Sequence, residues 1–177
     1  EGSDFPPFPQ FANISIDRNL RMTEKTATDT SFARLIKNVW SFKSTPETPP
    51  RELDKDSVIK LFVKDAKTFQ ERGGNLILLR CPSTGYYRKK EENFYCRDEF
   101  WDEVVKQSGA RGYHFEDYEQ LKYLDCPEWS HLSADGANIF TAEMAKIMIS
   151  DQALTNLKTN YFFSVKSYNH YHIKIFF

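Results

Sequence analysis

Gly73-Gly74-Asn75-Leu76-Ile77-Leu78-Leu79-Arg80 is the stretch on which the fold turns. Two glycines close whatever precedes them, and a short unbroken apolar run follows. A strand buried on only one face alternates apolar and polar residues; a continuous run indicates burial on both faces, as in a parallel sheet. The residues upstream agree. Asp54 or Asp56 can cap a helix that carries Val58, Ile59, Phe62, Val63, Ala66 and Phe69 on one face, ended by Gly73-Gly74. Downstream, Cys81 to Gly85 reads as a loop, and Arg97 to Ser108 as a helix bearing Phe100, Trp101, Val104 and Val105. Tyr113-His114-Phe115 is a second short strand, and Tyr118 to Leu124 a helical turn. Pro127 to Leu132 is a loop, followed by a helix from Ser133 or Ala134 that includes Ile139, Phe140, Met144, Ile147 and Met148. Helix, strand, helix, strand, loop, helix predicts an α/β layer with parallel strands, whose sites lie at the carboxyl ends of the strands.

The flanks read differently. Residues 1–50 form an irregular N-terminal segment: Phe5-Pro6-Pro7-Phe8-Pro9 is extended, and Ser44 to Pro50 is a proline-rich linker. Between them one helix spans Asp29 to Phe42, with Ala33, Ile36, Val39 and Trp40 at helical spacing. Residues 51–156 hold the α/β portion. Residues 157–177 form an aromatic tail, Tyr161-Phe162-Phe163 and Tyr171 to Phe177, suited to an edge strand and to self-association. His170 and His172 share one strand face there, yet no acidic or cysteine partner is near in sequence, so the reading is a packed or solvated strand and no metal.

Composition excludes several classes. The 177 residues suit one domain or a piece of a larger one, and 24 Lys+Arg against 25 Asp+Glu leave a net charge of -1, with no global field for nucleic acid. No apolar run approaches the ~20 residues of a membrane span. The segment Glu1 to Gln10 lacks a basic n-region and an apolar h-region, which predicts a soluble chain, cytoplasmic or exported after signal removal. Seven glycines and no phosphate-loop pattern argue against a nucleotide cofactor, and none is expected. Cys81, Cys96 and Cys126 are too few and too scattered for a disulfide framework, and read as reduced structural thiols; one pair remains free to bridge in an extracytoplasmic setting.

Chemistry concentrates in Pro127 to Thr141, Pro-Glu-Trp-Ser-His-Leu-Ser-Ala-Asp-Gly-Ala-Asn-Ile-Phe-Thr. Glu128 lies three residues before His131, in a loop entering a helix. A carboxylate so placed can fix the imidazole tautomer and stabilise the imidazolium while the other ring nitrogen takes a proton. Trp129, between them, either lines a substrate pocket or anchors the loop to the core. Arg88-Lys89-Lys90 beside Tyr86-Tyr87 forms a basic loop, either solvated or in contact with an acidic substrate such as a polysaccharide.

This segment resembles the last conserved block of SGNH-type (GDSL-like) serine hydrolases, a D-x-x-H followed by Leu, small residues, Gly-Ala and a helix beginning near Phe-Thr. The match runs through Glu128, His131, Leu132, Gly136, Ala137, Phe140 and Thr141, and the Gly73–Arg80 stretch with Pro82 resembles a late strand of the same fold. The resemblance spans about residues 54 to 150. It implies a flavodoxin-like three-layer α/β/α fold, of which this chain is the C-terminal part. It also implies metal-free hydrolysis of a small ester or an acetylated carbohydrate, with His131 as general base and Glu128 as orienter. Glu128 stands where the family usually has Asp. The family's nucleophile turn and oxyanion donors have no counterpart: Ser3, in Gly2-Ser3-Asp4, lacks a preceding strand, and Ser83, at a strand's end and a second candidate pocket residue, falls in the wrong order. The chain therefore reads as an incomplete catalytic unit, with Ser3 and Ser83 the two candidate nucleophiles. The alternative is a non-catalytic α/β interaction module or degenerate hydrolase fold.

Overall fold

The structure, a computed structural model, describes residues 8–16, 18–42 and 52–154. Its centre is a parallel pair, β3 (Ile77–Arg80) beside β4 (Arg111–His114), with Leu79 opposite Tyr113 and Arg80 opposite His114. The run that predicted a strand buried on both faces behaves as one. Leu79 and Tyr113 share a core cluster with Phe140, Met144 and Met148 of α6 (Ala134–Ser150). The opposite face is closed by α5 (Trp101–Ser108): Gly112 lies so near Val105 that a Cβ there would come within 2.5 Å of it. Trp101 meets His114 edge-on at 5.5 Å on that same face. Behind α5 runs α3 (Glu52–Glu71), which turns Ile59, Val63 and Ala66 inward. The chain is mixed α/β with a two-stranded parallel sheet among the described residues, a smaller unit than the expected flavodoxin-like three-layer fold.

Several expectations need correction. Helix α3 begins at Glu52, so Asp54 and Asp56 lie inside it rather than before it, and Val58 and Phe69 of the expected buried face are 67% and 50% exposed. Its glycine stop stands, with Gly73 at φ +85° and Gly74 N–H bonding the Phe69 carbonyl. Gly85 to Lys90, read as loop, belong to a helix, α4 (Gly85–Phe94). No side chain caps its start, and alternating charge with adjacent tyrosines leaves no single apolar stripe, so periodicity missed it. Helix α5 starts at Trp101, after a turn. Helix α6 begins as expected, Ser133 Oγ accepting the Gly136 N–H at 3.0 Å.

The N-terminal segment holds more structure than one helix. A small antiparallel pair, β1 (Ala12–Ile14) with β2 (Leu20–Met22), leads into α1 (Glu24–Thr28) and α2 (Thr30–Trp40). Three-residue strands carry too little pattern to be read from sequence. Asp29 caps α2, its carboxylate accepting the Ser31 and Phe32 N–H groups at 2.9 and 3.0 Å. Ala33, Ile36 and Val39 are buried along its inner face. Ile36 is fully buried, which contributes about 2–3 kcal/mol of hydrophobic stabilisation. Trp40, four residues on, continues that face toward the loop after β4. The linker 44–50, the aromatic tail with His170 and His172, and Ser3 lie outside the described residues. No helix among the described residues is long and apolar enough to cross a membrane.

Candidate functional site

Glu128 and His131 come together as their spacing predicts. Glu128 Oε1 lies 2.9 Å from His131 Nδ1 and accepts the His131 backbone N–H at 2.6 Å. The carboxylate is completely buried, whereas the imidazole side chain is one-third exposed. An ionised carboxylate has only lone pairs to offer, so the proton between them belongs to Nδ1 and the lone pair to Nε2. One ring nitrogen is anchored against a buried charge, and the other has no hydrogen-bond partner among the described residues.

Two residues that the sequence reading passed over complete the carboxylate's shell. Ser130 Oγ lies 3.2 and 3.1 Å from the two Glu128 oxygens and 2.8 Å from His131 Nδ1. It therefore sits on the anchored side of the ring, where it steadies the carboxylate and cannot deliver its proton to Nε2. Trp40, 88 residues upstream, donates its indole N–H to Glu128 Oε2 at 2.5 Å. Burial pushes the Glu128 carboxyl up, but the hydrogen bonds from His131, Trp40 and Ser130 outweigh it and hold the group below its ordinary value. Ser130 was visible in Glu-x-Ser-His; Trp40 gave no signal, because only tertiary packing brings α2 here.

An aromatic cluster surrounds the pair. Phe11 lies 5.3 Å from the His131 ring and 5.9 Å from Trp40, and Phe8 meets Trp40 at 4.8 Å. Phe11 is held through its own backbone, whose carbonyl accepts from Thr23 N at 2.9 Å and from the buried Thr26 hydroxyl at 2.9 Å. On the far side Tyr87 of α4 approaches Trp40 at 6.5 Å.

Trp129, between the pair, packs against the start of α4. At φ +84° it adopts a backbone conformation costly for a bulky residue, and its ring lies over Gly85, where a Cβ would come within 2.3 Å. Tyr86 packs on it at 5.7 Å and the Lys37 ammonium sits 5.5 Å from its ring. Its carbonyl accepts from Thr84 N at 2.9 Å, which ties the Glu128–His131 loop to the segment leaving the carboxyl end of β3.

Ser83 is placed at that same end, but buried. Its hydroxyl donates to Glu91 at 2.7 Å and accepts from Arg80 at 3.2 Å, within an ion-pair network where Arg80 also bonds Glu91. Arg88, expected on a basic loop, belongs to α4 and is committed to Glu91, Glu92 and Glu116. Beneath this network His114 is buried, accepting the Glu116 N–H at 3.3 Å. Desolvation, reinforced by the charges of Arg97, Arg80 and Arg88, depresses its pKa to about 3. The three cysteines are unbridged, and burial pushes the Cys126 thiol up to about 12. Among the described residues no group of three His, Cys, Asp or Glu side chains could hold a metal ion.

Comparison of the chain with models of protein families, with curated proteins and with solved structures finds no match.

Proposed function

We propose that Glu128 and His131 are the orienter and general base of a serine-hydrolase-type site, as in the SGNH/GDSL-like enzymes whose last block this segment resembles. The substrate class is a small ester or an acetylated carbohydrate. The observation that carries the reading is the buried, ionised Glu128 on Nδ1 of a one-third exposed His131, whose Nε2 has no hydrogen-bond partner among the described residues. In this reading Nε2 takes the proton of an attacking hydroxyl, and Glu128 stabilises the imidazolium that forms. The hydroxyl comes from outside the described network, because Ser83 is committed to Arg80 and Glu91, and Ser130 lies on the wrong side of the ring.

A second reading is favoured by one observation, the packing of Phe11 against His131. Here the pair is a structural clasp joining the N-terminal segment to the α/β layer, in a non-catalytic interaction module. Hydrolysis of p-nitrophenyl acetate separates the two. The enzymatic reading expects turnover that is lost in His131→Ala, with the nucleophile mapped by a fluorophosphonate label. Equal rates in the intact and His131→Ala chains, including no rate above buffer in either, favour the clasp.

A further inference from the structure

We propose that Trp40 is a positioning residue for the Glu128–His131 pair, supplied to the site by a helix outside the segment that carries the pair. As a contribution to catalysis this rests on the hydrolase reading; as a statement about the carboxylate it stands by itself.

A completely buried carboxylate is tolerated only if its lone pairs are occupied and its charge is compensated. Oε1 is served by its own loop, through the His131 N–H, Nδ1 and Ser130. Among the described residues Oε2 has Ser130 at 3.1 Å and otherwise only the Trp40 indole. Without that donor the oxygen turned away from His131 keeps a single, shared hydroxyl. The carboxylate is then free to rotate about its last torsion and exchange the oxygen that faces Nδ1. The indole fixes that torsion, and through it the ring that Oε1 holds. Glutamate has one more torsion than aspartate, so the longer residue at this position creates the need that Trp40 meets.

Trp40 is itself well held. It ends the buried face of α2, set by Ala33, Ile36 and Val39, and its ring is packed by Phe8, Phe11 and Tyr87. An indole N–H donates only, so it cannot turn to offer the carboxylate an acceptor, as a hydroxyl can. The other titratable or charged groups around the site are His131 and Cys126 on the same stretch, Lys37 on α2 and Tyr87 on α4.

The test is the titration of the Glu128 carboxyl carbon by NMR in the full chain and in two variants. Trp40→Phe keeps a ring and removes the N–H; Phe11→Leu removes a packing ring and leaves the N–H. The proposal expects the Glu128 midpoint to rise by about one pH unit in Trp40→Phe, a tenfold change in acidity, and to stay in place in Phe11→Leu. An unchanged midpoint in Trp40→Phe, or equal shifts in both variants, overturns it. Should Trp40→Phe fail to fold, the Trp40 indole proton is followed in Glu128→Gln. Its resonance is expected to move upfield and exchange faster on losing a charged acceptor; an unmoved resonance overturns the proposal. Ester hydrolysis unaffected by His131→Ala, beside the expected Glu128 shift, defeats the hydrolase reading alone.

Discussion

His114 and His131 make an instructive pair, because the same side chain meets charges of opposite sign at two places in one molecule. His114 is 3% exposed, at the carboxyl end of β4, and its neighbours of strongest effect are Arg97 and Arg80. Those surroundings keep it neutral and fill its space, so it serves as a spacer between Trp101 and Phe115. His131 rests on a buried carboxylate through Nδ1, with its side chain one-third exposed. What separates a core histidine from a candidate base here is the depth of burial together with the sign of the adjacent charge.

The contrast breaks most visibly at the carboxylates. Glu128→Ala should cost about 3–5 kcal/mol in urea unfolding, since it leaves the Trp40 indole and the His131 N–H without acceptors in a closed site. Glu91→Ala, in the half-exposed network above His114, should cost about 1 kcal/mol. Comparable losses would erase the distinction between the two clusters.

Acid sharpens the contrast next. The folded pKa of His114 is about 3 against an ordinary 6.5, so the unfolded chain binds its proton first and stability falls as pH drops from 6.5 toward 3. Between pH 6.5 and 4.5 this amounts to about 2 kcal/mol. Glu128, also depressed, acts in a lower window: its contribution is complete above its unfolded pKa and is lost as pH falls through its folded one. Urea midpoints measured between pH 6.5 and 4.5 should therefore slope in the intact chain and flatten in His114→Asn.

Smaller effects concern the loop. Gly85→Ala forces a Cβ against the Trp129 ring at φ +55°, which should cost about 1–3 kcal/mol and red-shift tryptophan fluorescence. Gly73→Ala, at φ +85° in open space, should cost about 1 kcal/mol and leave the fluorescence alone. Smallest of all, Cys126 should resist iodoacetamide at pH 8 until the chain unfolds, because its thiol is held near 12.

How much of this was legible follows from where the information sits. The parallel strands, α2 and α6 were readable because each carries a local pattern: an apolar run closed by glycines, a capped 3.6-residue stripe, a serine before a helix. Glu128 and His131 were readable because both partners lie within one loop. Helix α4 was missed because Tyr86, Tyr87, Arg88 and Glu91 each pack on a different neighbour, which leaves no single stripe. Trp40 could be assigned to a buried helical face, yet its partner lies 88 residues away and no spacing encodes that contact. The burial of Ser83 depends on Glu91, eight residues on in a helix that was itself missed.

Glu128 holds His131 with Nδ1 protonated and Nε2 carrying the lone pair. Long-range proton–nitrogen correlation of the histidine rings in the neutral protein tests it most directly. The account predicts the Nδ1–H tautomer for His131 in the intact chain, reverting toward the Nε2–H form common in free imidazole side chains when Glu128 is replaced by Gln. A dominant Nε2–H tautomer in the intact chain would contradict it.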